Sequence, residues 1–544
     1  MPTGAELFVD AIEKHGIREI FTLVGDHLND VLLCAGQRGL RIVDMRHEAA
    51  VVHAADAWAR ITRRPSLSLV TGGPGHTNSL TGIATAFLAG SPVITVSGSR
   101  ASTQAQRGAF QDIDQMGMTR SVVKWAAEPA SVTQIPFLVG RAFAEAMSGR
   151  PGPVHLTIPV DLFAANTASP IPDTGAGLPS RPSPAPEGIK KAIDLLSAAE
   201  RPVIIAGSGV WWSEAEAELR AFAERTNIPV STITLARGAF PDDHPLSLGY
   251  ADPSLNRAAA RVFAEADVAL ILGKRIDFRL GLGNTNLLPE KLKLIQVDIQ
   301  SSEIGLNRKV DVGICADVRS TLQALRFESG DRSKWLDQVR QYRQEWEAWL
   351  ASAAEDRKEP LAPAAFYSEL RDALPPDVWY SWDGGDFAHW GRAMLAAKRP
   401  GGWMRLGPLA TIGAALPNGL ALQMAHPDEP VVVITGDGSL GFYIAELDTA
   451  VRHNLPIVVI VGNDAGWGLE RELQGGAQTV GCELRATRYD IVMQGFGGEG
   501  ENITSLDQVA PAVTRAFASR RPYLLNVNIR GIRSPFTRWK LGDG

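Results

Sequence analysis

Short apolar, β-branched runs alternate with helix-period segments along almost the whole chain, and each run is bounded by glycine, proline or small polar residues. That rhythm is the pattern of parallel sheets covered by helices on both faces, because strands buried on two sides need continuous apolar sequence and parallel neighbours need a crossover helix. At 544 residues the chain is too long for one ordinary core, so the rhythm must be divided among about three domains.

Two changes in pattern mark the seams. Residues 1–165 contain candidate strands EIFTLVG, RIVDMRH, SLSLVTGG, PVITVSG and PVHLTIPV, with AAVVHAADAWARIT and TNSLTGIATAFLAG reading as helices. Residues 166–187 are rich in Pro, Ser, Ala and Gly without periodicity and read as a linker. A second α/β segment, 188–330, holds RPVIIAGSG, IPVSTIT, DVALILG and LKLIQVDI, and 331–358 reads as a charged amphipathic helix that bridges domains. Residues 359–544 hold VWYSWDGG, VVVITGDG, PIVVIVGND and PYLLNVNI, followed by a basic tail. The expected fold class is therefore α/β, with three doubly wound parallel-sheet domains.

Composition excludes several classes of function. The formal charge of −6 gives no reason to expect nucleic-acid binding, and no apolar stretch reaches the 18 or more residues of a membrane span. Cys34, Cys315 and Cys482 lie far apart with no CxxC pair, which fits a reducing compartment and argues against a disulfide framework or zinc site. The start, MPTGAELFVDAIEKHG, reads as an amphipathic helix and not as a signal peptide, so the expected location is cytoplasmic.

The chemistry concentrates at the ends of two strands. VVVITGDGS ends in Gly436-Asp437-Gly438-Ser439, and PIVVIVGND ends in Asn463-Asp464. Ligands of parallel α/β sheets bind at the carboxyl ends of the strands. There Gly436 and Gly438 let the backbone approach a phosphate, Ser439 adds a hydroxyl, and Asp437 with Asp464 offers hard oxygens to a divalent cation. Taken singly, Gly-Asp-Gly reads as a turn and Asn-Asp as a helix cap. Paired 27 residues apart, each after a buried-strand pattern, they point to a metal-bridged diphosphate.

The stretch resembles the thiamine-diphosphate motif, GDG followed by about two dozen residues and NN, with Asp464 standing where the family has its second Asn. The resemblance implies Mg²⁺ ligands at Asp437, Asp464 and the backbone carbonyl of Gly466. RHEAA places Glu48 where the family's glutamate shares a proton with the aminopyrimidine ring. GGPGHTN, with Gly73 and Asn78, matches the family's GPG-x-TN turn. GPLATIGAALP matches its pyrimidine-clasping loop, with the carbonyl of Ala410 toward the exocyclic amine and Ile412 as the apolar wedge. A site formed between the first domain of one subunit and the third of another is implied, hence a homodimer or homotetramer.

Reaction class rests on further resemblances. GAFQDIDQM, with Phe110 and Gln111, is similar to the loop beside the thiazolium in acetolactate synthases and 2-hydroxyacyl-CoA lyases, and GDHLN puts His27 where benzaldehyde lyase-like enzymes carry an active-site histidine. The middle segment resembles the 2-hydroxyacyl-CoA lyase and oxalyl-CoA decarboxylase branch, which carries ADP, while GKRIDFR also fits the pattern by which acetolactate synthases hold FAD. Gly273, Arg275, Asp298 and Asp317 are the implied contacts of either nucleotide. The four cations Arg530, Arg533, Arg538 and Lys540 suit the phosphates of an acyl-CoA. The expected function is a carbon-carbon lyase that releases formyl-CoA and an aldehyde or ketone from a 2-hydroxyacyl-CoA, reversible as an acyloin-type condensation. The alternatives are an FAD-containing acetolactate synthase, a benzaldehyde lyase-like carboligase acting on 2-keto or 2-hydroxy acids, and a cofactor-binding protein without catalysis.

Overall fold

The computed structural model describes residues 1–168, 180–328, 330–476 and 478–542. It contains three six-stranded sheets in which every neighbouring pair of strands is parallel. The first holds β1 (Glu19–Thr22), β2 (Arg41–Asp44), β3 (Ser66–Val70), β4 (Val93–Ser99), β5 (Trp125–Ala127) and β6 (Val154–Pro159) in the order β2-β1-β3-β4-β6-β5. The central sheet holds β7 (Pro202–Ala206), β8 (Val230–Thr232), β9 (Ser247–Tyr250), β10 (Val268–Leu272), β11 (Lys293–Asp298) and β12 (Val312–Cys315) in the order β12-β11-β10-β7-β8-β9. The last holds β13 (Trp379–Trp382), β14 (Trp403–Arg405), β15 (Val431–Gly436), β16 (Val458–Asn463), β17 (Glu499–Ile503) and β18 (Tyr523–Asn528) in the order β14-β13-β15-β16-β18-β17.

The first and last sheets share one topology, strand for strand, without visible sequence repetition. In the central sheet the order reverses between β7 and β10, which opens a crevice at the carboxyl ends of those strands. Continuous burial along β3, β4, β6, β7 and β10 explains their unbroken apolar sequences.

Helix Ser333–Ala353 joins the central and last domains. Its Trp335, Val339, Tyr342, Trp346 and Leu350 enter a core shared with Phe263 and Phe366. Trp346, Trp349 and Trp390 stack in a row, with ring centroids 5.0 and 5.9 Å apart. The first and last domains share a second core, in which Val51 and Val52 of helix Glu48–Thr62 meet Leu416 and Leu420 of helix Ala415–Ala425. Within the expected linker, residues 169–179 lie outside the described residues, and a helix already begins at Pro186, whose fixed φ suits a first helical turn. No helix among the described residues is long and apolar enough to cross a membrane.

Candidate active site

The last sheet assembles the diphosphate-motif residues. Asp437 opens a short helix directly after β15, and Asp464 follows β16, its parallel neighbour. Gly436, Asp437, Gly438, Ser439, Asp464 and Gly466 line one cavity of about 130 Å³, together with Ile412. The Asp437 carboxylate accepts the Gly466 N–H at 2.9 Å, which fixes the loop whose carbonyl is the implied third metal donor. Burial, and then the Asp464 charge, push Asp437 up to about 7. Burial also raises Asp464, to about 6, against the opposing pull of Arg471. Two carboxylates raised at one cavity, Asp437 beside the Asp464 charge and Asp464 beside the Asp386 charge, are groups that a cation could stabilise in their ionised form. No cluster of three His, Cys, Asp or Glu side chains suited to a metal occurs among the described residues. A cation here must therefore complete its coordination with backbone and ligand oxygens. Gly438 cannot be larger, since a Cβ would lie 2.8 Å from the Trp467 ring that covers it.

The first domain assembles a second group of residues. Glu48 is the first residue of its helix, behind His47, whose ring accepts the Ala49 N–H at 3.0 Å as N-cap. Glu48 is buried, and Asn78 donates to its Oε2 at 2.9 Å. Gly73 has φ +61°, and its N–H donates to Gln115 Oε1 at 3.1 Å. A Cβ on Gly73 would strike the Gln111 side chain, whose own Oε1 is buried without a partner. His27 is buried, and its Nδ1 lies 3.3 Å from the Gly72 N–H and 2.8 Å from the Thr71 hydroxyl. A backbone N–H can only donate, so Nδ1 is the acceptor and the ring proton sits on Nε2. Burial lowers the His27 pKa and keeps the ring neutral. Phe110 is 73 % exposed, so the chain by itself gives that ring no pocket.

The two groups lie in different domains. Every residue lining the 130 Å³ cavity belongs to the last domain, and the cluster around Glu48 belongs to the first. Between them stands the loop 407–413, with Ala410 exposed at φ +57°, a left-handed conformation that costs a non-glycine residue free energy and is found at functional sites. Asp383, which no sequence motif singled out, holds that loop. Its fully buried carboxylate accepts Gly413 N–H at 3.1 Å and the Thr435 hydroxyl at 3.1 Å, and burial raises it to about 6.

The family is decided by comparison with known proteins. Models of the N-terminal TPP binding domain, the central domain and the C-terminal TPP binding domain of thiamine pyrophosphate enzymes match residues 2–118, 189–325 and 383–527. The chain belongs to the thiamine pyrophosphate enzyme family. An acetolactate synthase large subunit of Mycobacterium tuberculosis is 35 % identical over 96 % of this chain and 95 % of its own. The 2-hydroxyacyl-CoA lyase 2 of Caenorhabditis elegans is 33 % identical over 92 % of this chain and 84 % of its own. The oxalyl-CoA decarboxylase of Escherichia coli is 32 % identical over 97 % of this chain and 95 % of its own.

Two further cavities of this thiamine pyrophosphate enzyme are several times larger. Gly273, Arg275, Asp298 and Asp317 all line one of about 600 Å³ at the crevice between β7 and β10. Gly273 lies so close to Gly209 that a Cβ would clash with its backbone at 2.2 Å. Arg275 spans the domain boundary and donates to Leu88 O at 3.0 Å, and Asp317 caps helix Val318–Ala324.

The second cavity, about 710 Å³, lies where the central domain, helix Ser333–Ala353 and the last domain meet. Five arginines line it, and four have a carboxylate within reach: Arg237 with Asp242, Arg343 with Glu347, Arg357 with Glu369 and Arg371 with Asp372. Arg392 has none within 4.0 Å among the described residues; Asp252, the acid whose charge favours it, pairs with Arg279. It is 2 % exposed, donates only to Asp383 O at 3.0 Å, and leaves Nε and Nη2 buried without partners.

The basic tail does not stand ready as four free cations. Arg530 pairs with Asp356 and Arg533 with Glu472. The helix Pro535–Leu541 is seated by Asp386, which accepts the Ser534 hydroxyl at 2.5 Å and the Thr537 hydroxyl. The tail is thus part of the domain's packing, because the small hydroxyls that anchor it are buried along with the acid.

Proposed function

We propose that this enzyme uses Mg²⁺ and thiamine diphosphate to cleave a 2-hydroxyacyl-CoA into formyl-CoA and an aldehyde or ketone, and that it works as a homodimer or larger homo-oligomer. The observation that carries the substrate class is Arg392. A buried guanidinium without an ion-pair partner, whose one favouring acid, Asp252, is already paired with Arg279, is strongly unfavourable unless an anion joins it, and its planar fork suits phosphate. The cavity it lines is nucleotide-sized and separate from the one at the β7/β10 crevice, to which we assign ADP or FAD. Acetolactate synthesis needs one nucleotide pocket at most, whereas a lyase acting on CoA esters while holding ADP needs two. Helix Gly385–Met394 reaches from the diphosphate cavity to the Arg392 cavity. Its ten residues span about 15 Å, a separation that suits the pantetheine arm between a CoA nucleotide and its acyl carbon.

The chain's groups fit the cofactor. Asp437, Asp464 and the Gly466 carbonyl would hold the metal and through it the diphosphate, and Ile412 would supply an apolar contact in the same cavity. When bound, the cofactor supplies the nucleophilic carbon and the electron sink for breaking a bond next to a carbonyl. Glu48, oriented by Asn78, would hold at its carboxylate the proton that the pyrimidine nitrogen needs. Neutral His27 donates its Nε2 proton toward a substrate oxygen, while Gln111 and Phe110 flank the reacting carbons once a second subunit covers them. In the net reaction the C1–C2 bond breaks, the hydroxyl proton passes to the formyl carbon, and the thioester bond stays intact.

The test is direct. Purified enzyme with thiamine diphosphate and Mg²⁺ is incubated with 2-hydroxyacyl-CoA esters or with pyruvate, and the products are separated by liquid chromatography. Formyl-CoA with an equimolar aldehyde supports the lyase. The 35 % identical acetolactate synthase favours the second reading. Acetolactate from pyruvate, with FAD released on denaturation and no thioester cleaved, would establish that reading instead.

A further inference from the structure

The residue that departs from the family's motif has its own partner. Asp464 Oδ2 lies 3.2 Å from Arg471 Nη1, seven residues downstream on helix Gly468–Leu473. The same guanidinium is gripped from its other side by Glu483, at 3.0 and 3.1 Å, so it is fixed in place. It lies directly on Gly466: a Cβ there would stand 2.0 Å from Arg471 Nη2. The loop that carries the metal donors is clamped to the same strip of chain, with Trp467 N–H on Cys482 O at 2.7 Å and Leu484 N–H on Ala465 O at 2.8 Å.

We infer that Arg471 is a positioning residue of the metal site, which neutralises Asp464 so that a carboxylate can stand at the position of a neutral amide. The inference rests on the metal placement proposed above. A diphosphate brought beside two uncompensated carboxylates meets like charge at close range. With Arg471 in contact, the Asp464 charge is balanced at the cavity, and the remaining negative charge of the trio rests on Glu483, whose side chain is 65 % exposed to solvent. Arg471 also holds Oδ2, which leaves Oδ1 as the oxygen free to turn to a metal. Gly466 is then needed twice, for its carbonyl and for the absence of a side chain where the guanidinium sits.

The prediction is compensation. Asp464→Asn alone leaves a guanidinium facing the metal and should weaken Mn²⁺ binding, read by the loss of the free Mn²⁺ signal in electron paramagnetic resonance, by about tenfold. Arg471→Gln alone leaves an extra negative charge and should weaken thiamine diphosphate binding at saturating metal, measured by calorimetry, by about fivefold or more. The double variant restores the neutral pair and should return both constants to within about threefold of the parent. Arg471→Lys keeps the charge and should bind the cofactor nearly normally, which separates the charge effect from a folding defect. Additive losses in the double variant, or Asp464→Asn binding Mn²⁺ as tightly as the parent, overturn the inference. If the parent itself binds no thiamine diphosphate, the cofactor site falls as well, and that outcome is recognised before any variant is made.

Discussion

The carboxylate of Glu446, in the last domain, accepts the backbone N–H of Arg46 at 3.1 Å, two residues before Glu48 in the first domain. It also accepts the Thr449 hydroxyl at 2.7 Å and is held by the His47 N–H. The helix that begins at Glu48 therefore starts from a support provided by the domain that carries Asp437, nine residues upstream of Glu446.

Glu446 should make stability depend on pH. Burial raises its folded pKa to about 7 from the 4.5 of an unperturbed glutamate. The folded state thus binds the proton more tightly, and the resulting stabilisation is complete below 4.5 and lost as pH rises through 7, on the order of 3 kcal/mol. Asp437, Asp383 and Asp464 titrate in the same window, so the comparison must be with Glu446→Gln, which removes this one proton. The melting temperature of the parent minus that of Glu446→Gln should fall steadily from pH 5 to pH 8. A difference that is flat with pH would show that Glu446 does not titrate there.

Glu48→Gln keeps the shape and the Asn78 contact but loses the proton. Turnover should fall by about 10²- to 10⁴-fold, the usual worth of a positioned acid-base group, while thiamine diphosphate still binds. Retention of a third or more of the parent's activity would remove Glu48 from the mechanism.

Metal removal should be visible without any substrate. Ligands that bind only the folded state stabilise it by about 2.7 kcal/mol at a hundred times their dissociation constant. Thiamine diphosphate with Mg²⁺ should raise the melting temperature, and EDTA should reverse the rise. Asp437→Asn, which can still accept the Gly466 N–H, should show little of either effect. A full upward shift in that variant would mean the metal lies elsewhere.

The sequence made the sheets legible from their middles outward. The strands that periodicity missed, β5, β9, β12, β14 and β17, are all edge strands. An edge is paired on one side only, and β12 and β17 alternate or half-expose their residues, so they lack the apolar run that a doubly covered strand needs. The two halves of the site were legible because each glycine or acid sits beside a strand end with a distinctive spacing. Asp383, Glu446 and Arg471 were not, since each acts through a contact whose partner is distant in sequence or looks like ordinary surface charge. Arg392 shows the same limit: only the structure reveals that its four neighbours have carboxylates and it has none.

Arg392→Met is the most exposed prediction. Replacing a buried guanidinium that has no ion-pair partner by an apolar side chain of similar length removes a desolvated charge, so the ligand-free protein should be as stable as the parent or more so. Binding of thiamine diphosphate should change little, because Arg392 reaches that site only through the Asp383 carbonyl, at 3.0 Å. The loss should appear in thioester use. A charge-assisted contact to phosphate is worth roughly 1.5 to 3 kcal/mol, so kcat/KM for a 2-hydroxyacyl-CoA should fall by about tenfold or more. The corresponding N-acetylcysteamine thioester, which lacks the nucleotide, should be turned over equally by both proteins. If the variant instead melts well below the parent and loses activity on both thioesters alike, Arg392 is a structural strut and the 710 Å³ cavity is no part of substrate recognition.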